Sequence, residues 1–562
     1  MTISNNTTRN KLIIKKIVLI INIFLLNLFN LFNTIDNKLA YISNSYNMSP
    51  TELYNTFNFK QNFKQFDSYI ITTSYLDDSV IKSLNQFYDA NFCNLDINNY
   101  YNQFDIANIE RVILNLIQNY KVENLLLNIN LNDNYTKINS DINIRNIEPI
   151  ESLSHYLTNY PEFNNNISNS SANNNAQILQ SVSNIKNICV QNNINLILIS
   201  TPVYYQNFDY QSTIDLYRQL ATITDFWDFS LSSISYDPRY FYDSNNFRDL
   251  LNDMMFRKIT DSSSAYIPDD FGIYITNQNI STTENLFSNL INLYSSEEEI
   301  TSLLSQSEVQ IPILTYHHFD EIGGGSSVIN INNFKEQLKT LLENGFNSIS
   351  FTQLIDYALN GVDLPENPFI ITIDDGYSSN YELAFPILKD YNTKATIFII
   401  GVSVGKDLYK DSDYSIIPHF NYEQAQEMID SNLISIQPHT YDMHQWAPYE
   451  ENIDRARTSV LPLSGESNED YVQVFISDLV KITSDIEANT SEKVNAFSYP
   501  LGISSNLTET ILKAYGIHST VSTKSGVSTV VKGLPQSLLL LNRINMTDET
   551  DILSVLNSYL NN

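Results

Sequence analysis

Apolar residues along this chain gather in short runs, each followed by a stretch with helical spacing. Asp67 to Thr73 (DSYIITT), Val122 to Ile129 (VENLLLNI) and Asn195 to Ser200 (NLILIS) read as buried strands. Ala176 to Val190 has the periodicity of an amphipathic helix. The segment Asn164 to Asn175 (NNNISNSSANNN) is low in complexity and reads as a loop. Strands alternating with helices predict an α/β three-layer domain over residues 60–280. Residues 281–308 are acidic and Ser-rich, with Glu297-Glu298-Glu299. They predict a helix leading into a linker.

The pattern restarts after this boundary. Ile311 to Tyr316, Phe369 to Ile373, Ala395 to Ile400, Leu433 to Ile436, Ala496 to Tyr499 and Ile517 to Val521 read as strands. Helices are predicted between them, among them Asn333 to Asn344 and Tyr422 to Ser431. This cadence over 309–562 predicts a distorted (β/α) barrel, whose sites lie at the C-terminal ends of the strands.

Residues 1–40 carry an address. Lys11, Lys15 and Lys16 precede the apolar run Ile17 to Phe32, interrupted by Asn22, Asn27 and Asn30. Basic residues before an apolar stretch stay on the cytoplasmic side. Export follows, with the run acting as a cleaved signal or as a membrane anchor at the extracellular face.

Charge narrows the partners. The chain of 562 residues has 32 basic and 63 acidic side chains, a net charge of −31. Nucleic acid is excluded, because phosphate binding needs clustered Lys and Arg. Cys93 and Cys189 stand outside any C-x-x-C pair, so they offer no thiolate metal site.

The polar residues at the strand ends carry the chemistry. An apolar strand runs into Thr372-Ile373-Asp374-Asp375-Gly376-Tyr377. Consecutive strand side chains point opposite ways, so the two carboxylates can take different tasks. After the next apolar strand but one comes His439-Thr440-Tyr441-Asp442-Met443-His444. Two imidazoles on one loop, joined by a carboxylate, make a cation site with open positions, as catalytic metal sites have. Phe497 to Gly502 (FSYPLG) and Ile313 to His318 (ILTYHH) are further strand ends with polar continuations.

Together these motifs resemble the NodB-homology polysaccharide deacetylases, carbohydrate esterase family 4, from about Ile311 onward. The TIDDG motif is met by Thr372 to Gly376. The five-residue histidine spacing resembles the branch that de-N-acetylates poly-N-acetylglucosamine exopolysaccharides.

The resemblance implies a metal-dependent hydrolase acting on an extracellular polysaccharide. Asp374 would be the general base; Asp375, His439 and His444 would hold one divalent ion, usually zinc. The backbone at Tyr377 would meet the oxyanion. His317, Tyr499, Pro500 and Arg543 would line the substrate. The family's closing Leu-x-His is absent, with Arg543 near its place. His518 stands in as the expected general acid, with His317 and His318 as alternatives. Peptidoglycan deacetylation, O-acetyl ester hydrolysis, or an inert glycan-binding role are the competing readings.

The first half faintly resembles a degenerate SGNH hydrolase. Ser74 follows the first strand where that family places its nucleophile. Asp243 and Asn246 resemble its closing Asp-x-x-His block, but Asn246 takes the histidine's place. An amide cannot accept the serine proton, so a triad would be broken.

Overall fold

Burial alternates residue by residue along the apolar runs of the first half. In β1 (Ser68–Thr72), Tyr69 and Ile71 face one core and Ile70 the other. With β2 (Phe92–Asp96), β3 (Asn124–Ile129), β4 (Asn195–Ser200) and β5 (Phe226–Asp228) it forms a parallel sheet in the order β2-β1-β3-β4-β5. Leu125 and Leu127 of β3 join the first core, and Leu126 the second. A strand apolar on both faces needs cover on both. The helices Asn174–Gln191, Tyr210–Leu220 and Ile280–Leu293 cover one side, through Ile178, Tyr217 and Phe287 among others. The helices Asp78–Tyr88 and Asp249–Ile259 cover the other, through Leu84, Leu251 and Met255. β6 (Phe241–Asp243) and β7 (Asn246–Phe247) form an antiparallel pair, and β8 (Ile273–Ile275) runs antiparallel to β5 at the sheet edge. The result is a three-layer α/β unit.

The computed structural model describes residues 66–72, 78–96, 109, 113–114, 116–117, 120–129, 174–243, 246–261, 266–410 and 412–560. The N-terminal address therefore lies outside the described residues, as do residues 164–173 of the loop expected at 164–175; Asn174 and Asn175 instead open the helix Asn174–Gln191. Among the described residues no helix is long and apolar enough to cross a membrane.

The expected linker at 281–308 is not one. Helix Ile280–Leu293 buries Thr283, Phe287 and Leu290, and Phe287 meets Phe208 edge to face at 5.4 Å. The acidic run instead opens a second helix, Glu297–Gln306. Its cap, Ser296, accepts from the Glu299 N–H, and all three glutamates sit in the first turn. Negative charge there complements the helix dipole, so the acidity is helix-start chemistry. β9 (Glu308–Ile311) follows directly and pairs antiparallel with residues 528–531.

The second sheet is parallel. Its strands are β10 (Ile313–Tyr316), β14 (Pro368–Asp375), β15 (Ala395–Ile399), β16 (Ile434–Pro438) and β20 (Ile544–Asn545), in the order β16-β15-β14-β10-β20. The pair β11 (His318–Asp320) and β12 (Val328–Asn330) flanks the end of β10, and β13 (Asn347–Ser348) pairs with the start of β14. All eight residues of β14 are buried. Phe369, Ile371 and Ile373 face an outer core, and Ile370 faces an inner one with Phe398, Val521 and Leu541.

Beyond β16 the chain curls toward closure through β17 (Ala496–Ser498) and β18 (Ser519–Val521), a parallel pair. Val521 then bridges Leu541, just before β20. Between β16 and β17 a side chain replaces the backbone ladder. The Gln437 amide donates to Lys493 O at 3.0 Å, and its oxygen accepts from the N–H groups of Asn495 and Ala496. β19 (Ser528–Val531) lies outside this ring on β9.

The two units meet through a buried cation. Arg239 is 2% exposed and binds Asp237 within the first unit and Glu308 at 2.8 Å at the start of the second. The Tyr240 hydroxyl donates to Lys532 O, and Tyr266 N–H to Leu359 O.

Candidate metal centre and active site

Alternation along β14 continues past its apolar residues. Ile370, Thr372 and Asp374 share the inner face of the sheet, so the first carboxylate points inward, where it is 2% exposed. It is met there by charge. Arg543, just before β20, donates from Nη1 to Asp374 Oδ1 at 2.8 Å. The Ser498 hydroxyl donates to Asp374 Oδ2 at 3.2 Å. Burial by itself would raise the Asp374 carboxyl. The Arg543 guanidinium reverses this, by its charge and its hydrogen bond, and holds it well below the usual carboxylate range.

Asp375 escapes the alternation. It sits at φ 75 and Gly376 at φ 84, so the chain turns sharply at the strand end. Left-handed backbone at a non-glycine residue is uncommon. A Cβ on Gly376 would lie 2.9 Å from Ile399 Cγ2, so glycine is required twice over. The turn swings Asp375 Oδ1 to 3.7 Å from His439 Nε2 and 3.8 Å from His444 Nε2.

The loop after β16 carries the two histidines. Helix Asn468–Asn489 reaches in from outside to hold this loop. Asp478 accepts from the N–H groups of Tyr441 at 2.8 Å and Asp442 at 2.7 Å. Burial raises the Asp478 carboxyl to about 6 despite these donors. The His439 ring is 5.2 Å from that of His444, edge to face. Its Nδ1 lies 2.7 Å from Ser498 O, which fixes the proton on Nδ1 and leaves Nε2 free to ligate. Burial lowers His439 to about 4, favouring the neutral ring that a cation needs.

One ligand atom each from Asp375, His439 and His444 lies within 4.8 Å of the others. Asp375 Oδ1 is buried with no hydrogen-bond partner among the described residues. A carboxylate oxygen orphaned between two imidazole nitrogens fits a cation. Two nitrogens and one oxygen suit zinc-like ions, with a position left open.

Residues 361–520 match the family model described as polysaccharide deacetylase. The chain carries a polysaccharide deacetylase domain. Its YxkH relative from Bacillus subtilis (strain 168) is 34% identical over 148 residues, covering 26% of this chain and 48% of that one. The poly-beta-1,6-N-acetyl-D-glucosamine N-deacetylase of Escherichia coli (strain K12) is 25% identical over 228 residues, covering 36% of this chain and 32% of the relative. The chain thus spans about half, or less, of the length of these relatives. A solved de-N-acetylase from Aggregatibacter actinomycetemcomitans is 20% identical, with a TM-score of 0.38, covering 44% of this chain and 99% of that one.

Around Asp375, His439 and His444, other expected site residues fall differently. Arg543 is 2% exposed and holds Ser522 O, Thr372 Oγ1 and Asp374; its guanidinium is buried behind Asp374, which does not fit the expected substrate-lining place. Tyr499 is also placed away from substrate. Its ring is fully buried and its hydroxyl reaches Thr508 Oγ1 at 3.3 Å, because alternation in β17 turns it outward from Ser498. Pro500 is buried beside it.

His518 lies at the wrong end of β18. Its N–H bonds Asn495 O, three residues before Ser498, the level at which Asp374 is met. Three residues of strand span about 10 Å, so His518 cannot serve as the acid of this site. In the first unit, Asp243 and Asn246 belong to β6 and β7, and Ser74 lies outside the described residues.

Of the chain's 7 histidines, His317, His318 and His419 join His439 and His444 around the site, while His155 lies outside the described residues. Tyr316 pairs with Ile373, so His317 comes level with Asp374. Its ring Nδ1 is buried without a hydrogen-bond partner among the described residues. His318 Nδ1 lies 2.8 Å from Ser379 Oγ. Tyr377 is wedged between His318 and His419, with ring centroids 5.4 and 4.9 Å away. His419, Asp478 and Ser498 escaped the sequence reading. Each acts through a partner remote in sequence, and only the scarcity of histidine pointed toward His419.

Proposed function

We propose that this protein removes N-acetyl groups from an extracellular polysaccharide containing N-acetylglucosamine, of the poly-β-1,6-N-acetylglucosamine type, using one zinc ion. The observation that carries this reading is the convergence of Asp375, His439 and His444 beside an ionised, arginine-held Asp374. The curated relatives named for that polymer support the substrate. The export address read from residues 1–40 supports work outside the cytoplasm.

Asp375, His439 and His444 would hold the divalent cation, which when bound would polarise the acetamide carbonyl and lower the pKa of water toward about 7. Asp374 accepts the proton as water attacks, and Arg543 keeps that carboxylate ionised although it is buried. The peptide N–H at Tyr377 meets the charge that develops on the tetrahedral oxygen. His317, level with Asp374 and with an unpartnered ring nitrogen, donates the proton to the leaving amine. One histidine suffices for this transfer.

Acetate and free amine released from β-1,6-linked N-acetylglucosamine oligomers test the reading. Wild type is expected to be active with zinc and silent with chelator. Asp374→Asn should lose about 100-fold or more in kcat while retaining metal, and His439→Ala should lose both. Equal activity in the two variants and wild type would discard the assignment.

A further inference from the structure

The segment that follows His444 is unusually aromatic and open. Trp446 is 61% exposed and Tyr414 51%. An exposed aromatic surface of this kind marks a contact site. The rings of Tyr414 and Tyr449 stack at 4.4 Å with 9° between their planes, and Tyr409 stands edge-on to Tyr449 at 5.5 Å. The Tyr409 hydroxyl accepts from the Trp446 N–H at 3.1 Å and donates to Glu450.

Two loops build this surface, and both are tied to the metal loop. Lys410 bridges Asp442 at 2.9 Å and Glu450, and Asp442 lies between the two histidine ligands. Trp446 follows His444 by two residues, so their Cα atoms are at most about 7 Å apart. The platform is continuous with the reaction centre and preorganised before any ligand arrives.

We propose that Trp446, with the stacked Tyr414 and Tyr449, is a carbohydrate-stacking subsite that holds the sugars flanking the reacting residue of an extended N-acetylhexosamine chain. This rests on the deacetylase reading and adds a binding element to it. Pyranose rings present flat arrays of C–H groups and a polar rim, which match the apolar face and polar edge of Trp and Tyr. Aromatic side chains of this kind give contact area at low entropy cost. Charge argues for a glycan over a membrane. Asp407, Asp413, Glu451 and Asp454 are exposed on the same two loops; they repel anionic lipid and suit a chain that gains amines as it is deacetylated.

The chain has 2 tryptophans, Trp227 and Trp446. A Trp227→Phe, Asp374→Asn double variant therefore reports Trp446 fluorescence alone, with turnover blocked. Titration with a β-1,6-linked N-acetylglucosamine pentamer should give a saturable change that the monosaccharide does not. Trp446→Ala should raise KM for the pentamer by about tenfold with kcat unchanged, and leave hydrolysis of p-nitrophenyl acetate intact.

No fluorescence response and an unchanged KM would overturn the subsite, as would an equal response to phosphatidylglycerol vesicles. If Trp446→Ala also loses the small ester, Trp446→Tyr decides: recovery supports stacking, and no recovery rejects it. A response without acetate release by wild type sinks the deacetylase reading and leaves the subsite; acetate release without a response does the reverse.

Discussion

Arg543 and Asp374 form the most consequential pair of side chains. Both are almost fully buried, and removing one partner of such a pair leaves an uncompensated charge. Arg543→Gln should therefore lower kcat by about 100-fold and reduce stability by about 3–5 kcal/mol. Metal content per chain, read by elemental analysis, should stay at the wild-type value, because Arg543 touches none of the proposed ligands. A variant with wild-type kcat would show that Asp374 needs no such partner. Asp374, Asp375, His439 and His444 stand out in the sequence because they are packed into short local motifs at strand ends, and the structure brings the last three together. Arg543 and Tyr499 were noticed for the same reason but assigned to the substrate, since nothing local reveals which way a side chain turns. Arg543 gains its meaning from a carboxylate 169 positions away, and Asp478 from a loop held by a separate helix.

Most elements were legible because burial on both faces writes continuous apolar runs, and β4 begins and ends where its run does. Where burial was reached by other means the reading went astray. The helix Ile280–Leu293 passed for the lead into a linker because its acidic, Ser-rich surroundings mask three inward residues. The seam between β16 and β17 was invisible, since a glutamine side chain makes bonds that strands ordinarily make. Helix Asn506–Ala514 adds a further hidden feature. Its Glu509 is buried against β18, accepts from the Thr520 hydroxyl at 2.7 Å, and is raised by burial to about 7. An unfolded glutamate titrates near about 4.3. The folded state thus holds its proton more tightly, and stability falls as pH rises from about 4.3 to about 7. The loss is on the order of a few kcal/mol at about 1.4 kcal/mol per pH unit. Glu509→Gln should melt at a higher temperature than wild type at pH 8 and at the same temperature at pH 4. Parallel melting curves across that range would contradict this.

At the scale of the molecule, the contact through Arg239 joins the two units. Its guanidinium is shared between Asp237 and Glu308, and it also reaches the Ser307 hydroxyl. Arg239→Met should cost about 3–5 kcal/mol and separate one calorimetric transition into two, of which added zinc should raise only the later-numbered unit's if the proposed site binds it. A single unshifted transition would mean the units are coupled elsewhere.

The sequence position of Arg543 has a temporal consequence. A chain that emerges with its N-terminus first presents Asp375, His439 and His444 well before residue 543 follows. The proposed ligand set is thus complete in the chain by residue 444, while the partner of Asp374 comes 99 positions later. Under the proposed mechanism, hydrolytic competence waits for that last stretch of polypeptide, and a product interrupted before it would keep the Asp375, His439 and His444 side chains without an arginine beside Asp374.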